Sequence, residues 1–165
     1  MKLKRVVMLL LAGLLLAACT RLGGGADPAD NGAAPLPGVR VLMREVTDDT
    51  RNPATTRLPW NGAMLALAEP PFVQTEDIEA LRLDVDANGQ PVLMARFTDE
   101  AAPRIQQATT SRIGRRVALT VDGRVITVAT VAGSFGHSMQ FSGGGPAETR
   151  ELYRQITGKA AVTSQ

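Results

Sequence analysis

Cys19 and His137 are the only cysteine and the only histidine in 165 residues. A disulfide within the chain is therefore impossible, and so is a zinc site built on cysteines. His137 lies in Gly-Ser-Phe-Gly-His-Ser, beside Ser134 and Ser138. Such closeness in sequence does not pair a nucleophile with its base, because a triad is assembled across a fold. No Gly-x-Ser-x-Gly elbow is present, and His137 reads as an exposed loop residue. Asp84 and Asp86 alternate along one segment, with Asp99 further on. Paired carboxylates can move protons or hold calcium, but this spacing is not that of a calcium loop. A solvated face is the simpler reading. Gly143-Gly144-Gly145 could precede a helix N-terminus that cradles an anion. The lysine and hydroxyl residue of a phosphate loop are missing, so the glycines read as a connection. No catalytic residue, metal or cofactor is expected. Trp60, the only tryptophan, is expected to plug the base of a sheet rather than line a binding site.

Cys19 has chemistry of another kind. Lys2, Lys4 and Arg5 precede an apolar run of 13 residues, 6–18, too short for the roughly 20 that a spanning helix needs. The run ends Leu16-Ala17-Ala18-Cys19. This resembles the lipobox of bacterial lipoproteins. The resemblance implies that residues 1–18 are a signal peptide cut between Ala18 and Cys19. It also implies that Cys19 is acylated on sulfur, a thiolate being the right nucleophile. Several acyl chains such as palmitate, at about 0.8 kcal/mol per buried CH₂, would hold the protein to a lipid bilayer. Thr20 stands where an aspartate favours inner-membrane retention in that family, so the periplasmic face of the outer membrane is expected, with the inner membrane as the alternative.

The net charge of +2 includes Lys2, Lys4 and Arg5; without them 15 basic residues face 16 acidic ones. The arginines are scattered among acids, with no basic stripe and no interleaved aromatics. Nucleic acid is excluded as a partner on that ground.

The elements that could position a site begin after a tether. Residues 19–38 carry Gly23-Gly24-Gly25, Pro28, Gly32, Pro35, Pro37 and Gly38 with few large apolar side chains. They read as a flexible linker with a reach of roughly 25 Å. Residues 39–61 form an N-terminal extension: a first strand over 39–46, a polar loop over 47–56, and a turn at Trp60-Asn61-Gly62. A short apolar run follows at 63–68. Residues 75–79 (TEDIE) read as one capped helical turn, with Thr75 accepting from backbone N–H groups. A strand over 80–85, with Leu81, Leu83 and Val85 on one face, meets Asn88-Gly89, a hairpin signal, and then a strand over 92–97. Pro91 cannot donate to a ladder, so it belongs where the strand has no partner on that side. Thr98-Asp99-Glu100 opens a helix that Gly114 stops, with Ala101, Ile105 and Ala108 inward, then the stem of Arg112 or Ile113. Pro103 should cost it a hydrogen bond or shift its start.

Asp122-Gly123 then joins two β-branched runs in a type I′ hairpin. A regular register pairs Val121 with Arg124, Leu119 with Ile126 and Val117 with Val128. Those apolar residues then share a core face. A strand over 139–141 and a helix over 147–156, with Leu152, Tyr153 and Ile156 inward, complete the chain; residues 160–165 read as a frayed tail. The expected fold is α+β: an antiparallel sheet with two helices packed on one face.

In order, FVQTEDIEALRLDVDANGQPVLMARFT, TTSRIGRRVALTVDGRVITVATV and FSGGGPAETRELYRQITG resemble the head of the first periplasmic domain of SecD, a subunit of the bacterial protein-export machinery. The resemblance covers residues 62–159. It implies a head that meets translocating polypeptide on the periplasmic side. SecD couples proton flow to pulling through several membrane helices, and no spanning segment with a carboxylate follows the signal here. The expected role is therefore non-enzymatic: binding unfolded or extended polypeptide, or an envelope protein, as an accessory to export or envelope assembly. The alternative is a docking scaffold of the envelope with no part in export. A free strand edge can take an extended peptide as an added strand. Residues 125–131 or 139–141 could supply it, with Thr127, Val131 and Phe141 as contacts, provided that the strand lies at a sheet edge.

Overall fold

The computed structural model describes residues 32–49, 52 and 54–160; Ala18 and Cys19, with the signal and most of the tether, lie outside them. Eight strands and two helices follow in the order β1 (Val41–Glu45), β2 (Thr56–Trp60), β3 (Ala63–Leu67), β4 (Ile78–Val85), β5 (Pro91–Phe97), α1 (Ala101–Thr110), β6 (Arg116–Val121), β7 (Arg124–Thr130), β8 (Ser138–Phe141) and α2 (Pro146–Thr157). The class is α+β, with two helices against antiparallel strands. Three sheets replace the single one expected: β1-β6-β7, β4-β5-β8 and the hairpin β2-β3.

The two larger sheets are nearly continuous. Residues 72–75 run beside β1, where Phe72 N donates to Met43 O and Met43 N to Val73 O, each at 3.0 Å. Val41 N donates to Thr75 Oγ1 at 2.8 Å. The hydroxyl expected to cap a helical turn thus stitches strands together instead. A 3-10 turn, Thr75–Asp77, then breaks the ladder before β4 begins. Both sheets and both helices share one core. Val41, Val117, Leu119 and Val121 come from the first sheet and Leu81, Leu93 and Phe97 from the second. Ile105 comes from α1, and Leu152 and Ile156 from α2. Burying such side chains, at about 1.5–3 kcal/mol each, is the main favourable term holding these layers together.

β6 is the central strand of its sheet and is buried on both faces: Ala118 and Thr120 are as enclosed as Val117 and Leu119. The hairpin β2-β3 explains this. Thr47 N donates to Ala66 O and Ala68 N to Glu45 O, both at 2.9 Å, so β3 continues from the end of β1. The hairpin curls behind the sheet until β2 lies against β7 without pairing to it. Trp60, at its tip, is only half-buried and outside the core, contrary to expectation.

Asp122-Gly123 forms the tight turn, with φ of 49° and 79°. The register expected beyond it does not hold. Val121 pairs with Arg124 and Thr120 with Val125, but a bulge then sets Leu119 against Thr127, Ala118 against Val128 and Val117 against Ala129. One extra residue exchanges the faces of the outer strand, so Val128 leaves the core face. The Asn88-Gly89 turn is also longer than two residues, with Asp86 N donating to Gln90 O at 2.8 Å. Pro91 pairs with Val85 only, because β8 reaches no further along β5 than Leu93, as expected for a residue without an N–H.

Thr98 caps α1: its Oγ1 accepts from Ala101 N at 3.2 Å and its carbonyl from Ala102 N at 3.0 Å. Pro103 removes the next donor, and the regular helix is set back to Ala101. Ala108 packs against the core as expected, Thr109 beside it is fully buried, and Ile113 is exposed. The segment expected to be tether is docked from Gly32 onward. Ala33 and Leu81 exchange backbone hydrogen bonds of 2.8 Å, and Leu36 N donates to Ile156 O at 2.7 Å.

An edge-strand groove as the candidate functional site

The expected chemical groups do not converge. His137 is exposed, with Nδ1 3.6 Å from Asp99 Oδ1 at the surface. Among the described residues no three His, Cys, Asp or Glu side chains cluster as metal ligands. Asp84 is held below its ordinary pKa by the Val85 N–H and by Arg82, and Asp86 by the N–H groups of Gln90 and Asn88. Each carboxylate is occupied with its own loop.

Backbone groups make a better site. β7 and β8 are both at sheet edges. In an antiparallel ladder, alternate residues turn N–H and C=O away from their partner. The hairpin turn makes Val121 and Arg124 a hydrogen-bonded pair, so Val125, Val128 and Thr130 turn outward. At the far end Val131 N donates to Arg115 O at 3.0 Å and Val131 O accepts from Gly114 N at 2.9 Å. The free edge therefore ends at Thr130. Val131 is corrected here as a partner contact: only 2% exposed, it belongs to the core. Thr127 is half-buried, paired across from the core residue Leu119. Phe141, on the second edge, is half-buried against the core.

Beside the first edge lies a groove of about 310 Å³. One wall is Arg124, Val125 and Ile126; the other is Gly143, Glu148 and Leu152, from the β8–α2 connection and α2. Gln155, also in this lining, fixes the two walls to each other: Arg124 Nη2 donates to Gln155 Oε1 at 3.3 Å, and Gln155 Nε2 donates to Asp122 Oδ2 at 3.2 Å. Glu148 sits in the first turn of α2, where the helix dipole favours its charge. Glu151 is hydrogen-bonded to Arg154, which lowers its pKa and keeps it ionised. The groove thus combines unpaired backbone groups, an apolar floor of Ile126 and Leu152, and a rim of both charges. An extended peptide needs these features, and its own side chains need not be specified.

Two further devices hold the opposite end of the β6–β7 ladder. Thr109 Oγ1, buried in α1, donates to Ile105 O at 2.8 Å and accepts from Phe135 N at 2.9 Å. It anchors the loop between β7 and β8. Arg112 lies 4.9 Å from the Phe72 ring centroid and 3.2 Å from Glu45 Oε2, and Arg115 pairs with the same carboxylate. Sequence reasoning missed the α2 wall of the groove. It placed Leu152 inward but gave Glu148 and Gln155 no role, because nothing local in the chain signals that α2 approaches β7.

Comparison with known proteins fits this geometry. Residues 50–160 match the SecDF P1 head subdomain family. The protein translocase subunit SecDF of Thermus thermophilus is 34% identical over 62 residues, 38% of this chain and 8% of that protein. The protein translocase subunit SecD of Acidaminococcus fermentans is 29% identical over 77 residues, 46% of this chain and 18% of that protein. The chain thus spans under a fifth of the length of these relatives. A solved structure described as a membrane component SecDF that enhances protein export superposes with a TM-score of 0.53 at 20% identity, covering 81% of this chain and 70% of that one. SecDF of Thermus, a translocon-associated membrane protein, gives 0.51 at 22% identity over 71% of this chain and 19% of its own. These likenesses support the same fold. They also overturn the outer-membrane placement expected from Thr20, because a translocon component belongs to the inner membrane. Among the described residues no helix is long and apolar enough to cross a membrane.

Proposed function

Since the chain belongs to the SecDF P1 head subdomain family, we propose that it is a non-enzymatic accessory of protein export that binds extended polypeptide along the free edge of β7. The observation that carries this reading is the groove of about 310 Å³ beside an unpaired strand edge. Backbone hydrogen bonding supplies affinity without sequence preference, and the Ile126 and Leu152 floor takes one face of side chains. The motif Leu16-Ala17-Ala18-Cys19 supports an acylated Cys19 that keeps the domain at the membrane beside the translocon. The residue boundaries follow the same reading: a signal over 1–18, a lipidated linker over 19–38, an extension over 39–61 and the head over 62–159.

The test is in-cell photo-crosslinking from probes at Val125, Val128 and Gln140, followed by mass spectrometry. Many unrelated secreted chains are expected, with the yield reduced by Thr130→Pro, which removes one outward donor. Trapping of a single envelope protein would instead make this a docking scaffold.

A further inference from the structure

The hairpin β2-β3 has an exposed apolar tip. Pro59, Ala63 and Met64 are exposed, Met64 by 62%, and Trp60 is half-buried beside them. Pro59 pairs with Met64 and Trp60 with Ala63, so the four surround the Asn61-Gly62 apex on both faces of the ribbon. A peptide groove would gather such side chains on one face. A tip that is apolar all round suits end-on entry into a soft apolar medium. The charge is equally one-sided. Residues 54–68 hold one arginine and no acidic residue, and Arg57 is exposed without an ion pair among the described residues. The base of the hairpin is rigid, bonded to β1 through Thr47, Ala66 and Ala68.

We propose that this tip rests in the interfacial layer of an anionic lipid bilayer, with Trp60 and Met64 below the headgroups and Arg57 among them. Tryptophan favours that level because its ring is apolar and its N–H needs a partner. The Asn61-Gly62 backbone, which carries polar groups with no place in hydrocarbon, limits the depth. A lipid anchor would favour the same occupant. This argument rests on the anchoring of Cys19. Gly32, packed against Leu81 of β4, lies thirteen residues beyond Cys19, and thirteen residues span at most about 45 Å. Anchored in this way the domain stays within that span of the bilayer, and a second contact would fix its orientation there.

Trp60 is the only tryptophan, so fluorescence reads this hairpin alone. The full lipidated chain is reconstituted into phosphatidylethanolamine–phosphatidylglycerol vesicles, and flotation reports anchoring separately. Emission is expected at shorter wavelength than in the Met64→Glu variant in the same vesicles. Quenching by brominated acyl chains is expected in the parent and lost in Met64→Glu, and weakened in Arg57→Glu only when the lipid is anionic. Chains that float but whose Trp60 is unaffected by brominated lipid would overturn the inference and leave the anchor standing. Chains that do not float would instead count against the anchor itself. A spectral change seen only at high protein density would assign the tip to a second copy, which also overturns the inference.

Discussion

Gly32 occupies a position that only glycine fits. Its φ is +76°, and a Cβ built on it would lie 2.6 Å from the Leu81 carbonyl oxygen. Both the backbone conformation and the close approach require glycine. Gly32→Ala is expected to lower stability by about 1–3 kcal/mol and to release residues 32–38, seen as lost amide protection at Ala33 and Leu81. Asp86 supplies the pH-dependent counterpart. Its carboxylate accepts from Gln90 N at 2.9 Å and Asn88 N at 2.8 Å, which lowers its folded pKa. Such a group contributes stability above its unfolded pKa, about 3.9, and the contribution is lost as pH falls through the lower folded value. The protection factors of Asn88 and Gln90, taken relative to intrinsic exchange at each pH, are therefore expected to fall in that acid window, and Asp86→Asn to abolish that fall.

Elements were legible to different depths. Asp122-Gly123 and Asn61-Gly62 announce their turns because positive φ is required there and these residue types adopt it readily. The bulge in β7 was not legible. The paired runs alternate equally well in either register, and only burial of β6 on both faces selects between them. β2 was not legible either: its Pro59 cannot donate to a ladder and is tolerated because it lies on the hairpin's outer edge. Pro103 was read correctly as a defect in α1. Asp99, whose carbonyl loses its helical donor, is exposed, so water compensates. Pro103→Ala is expected to raise stability by about 1 kcal/mol, less than the roughly 3 kcal/mol of a buried helix interior, measured as the shift in urea midpoint.

At the scale of the molecule, the domain is a curled set of strands in which β7 and β8 each keep an edge without a paired strand, while Ala33 pairs with Leu81 on the β4 edge. The anchor is tested by metabolic labelling with a palmitate analogue: labelling is expected in the parent chain and absent in Cys19→Ser. Labelling that persists in Cys19→Ser would place any acyl group elsewhere.

By itself the sequence determined the class, the helices and most strands, the ordered motifs that place it in its family, and the lack of any local catalytic pattern. These are local properties, written in periodicity, turn residues and caps. Tertiary structure alone decided that one expected sheet is three. It also decided that Val131 is core, that Gly32 is docked, and that α2 walls a groove beside β7. Each depends on contacts between residues far apart in the chain, such as Gln155 with Asp122 or Ala33 with Leu81. Such contacts are set by how the layers bury their shared core, which no short stretch of sequence records.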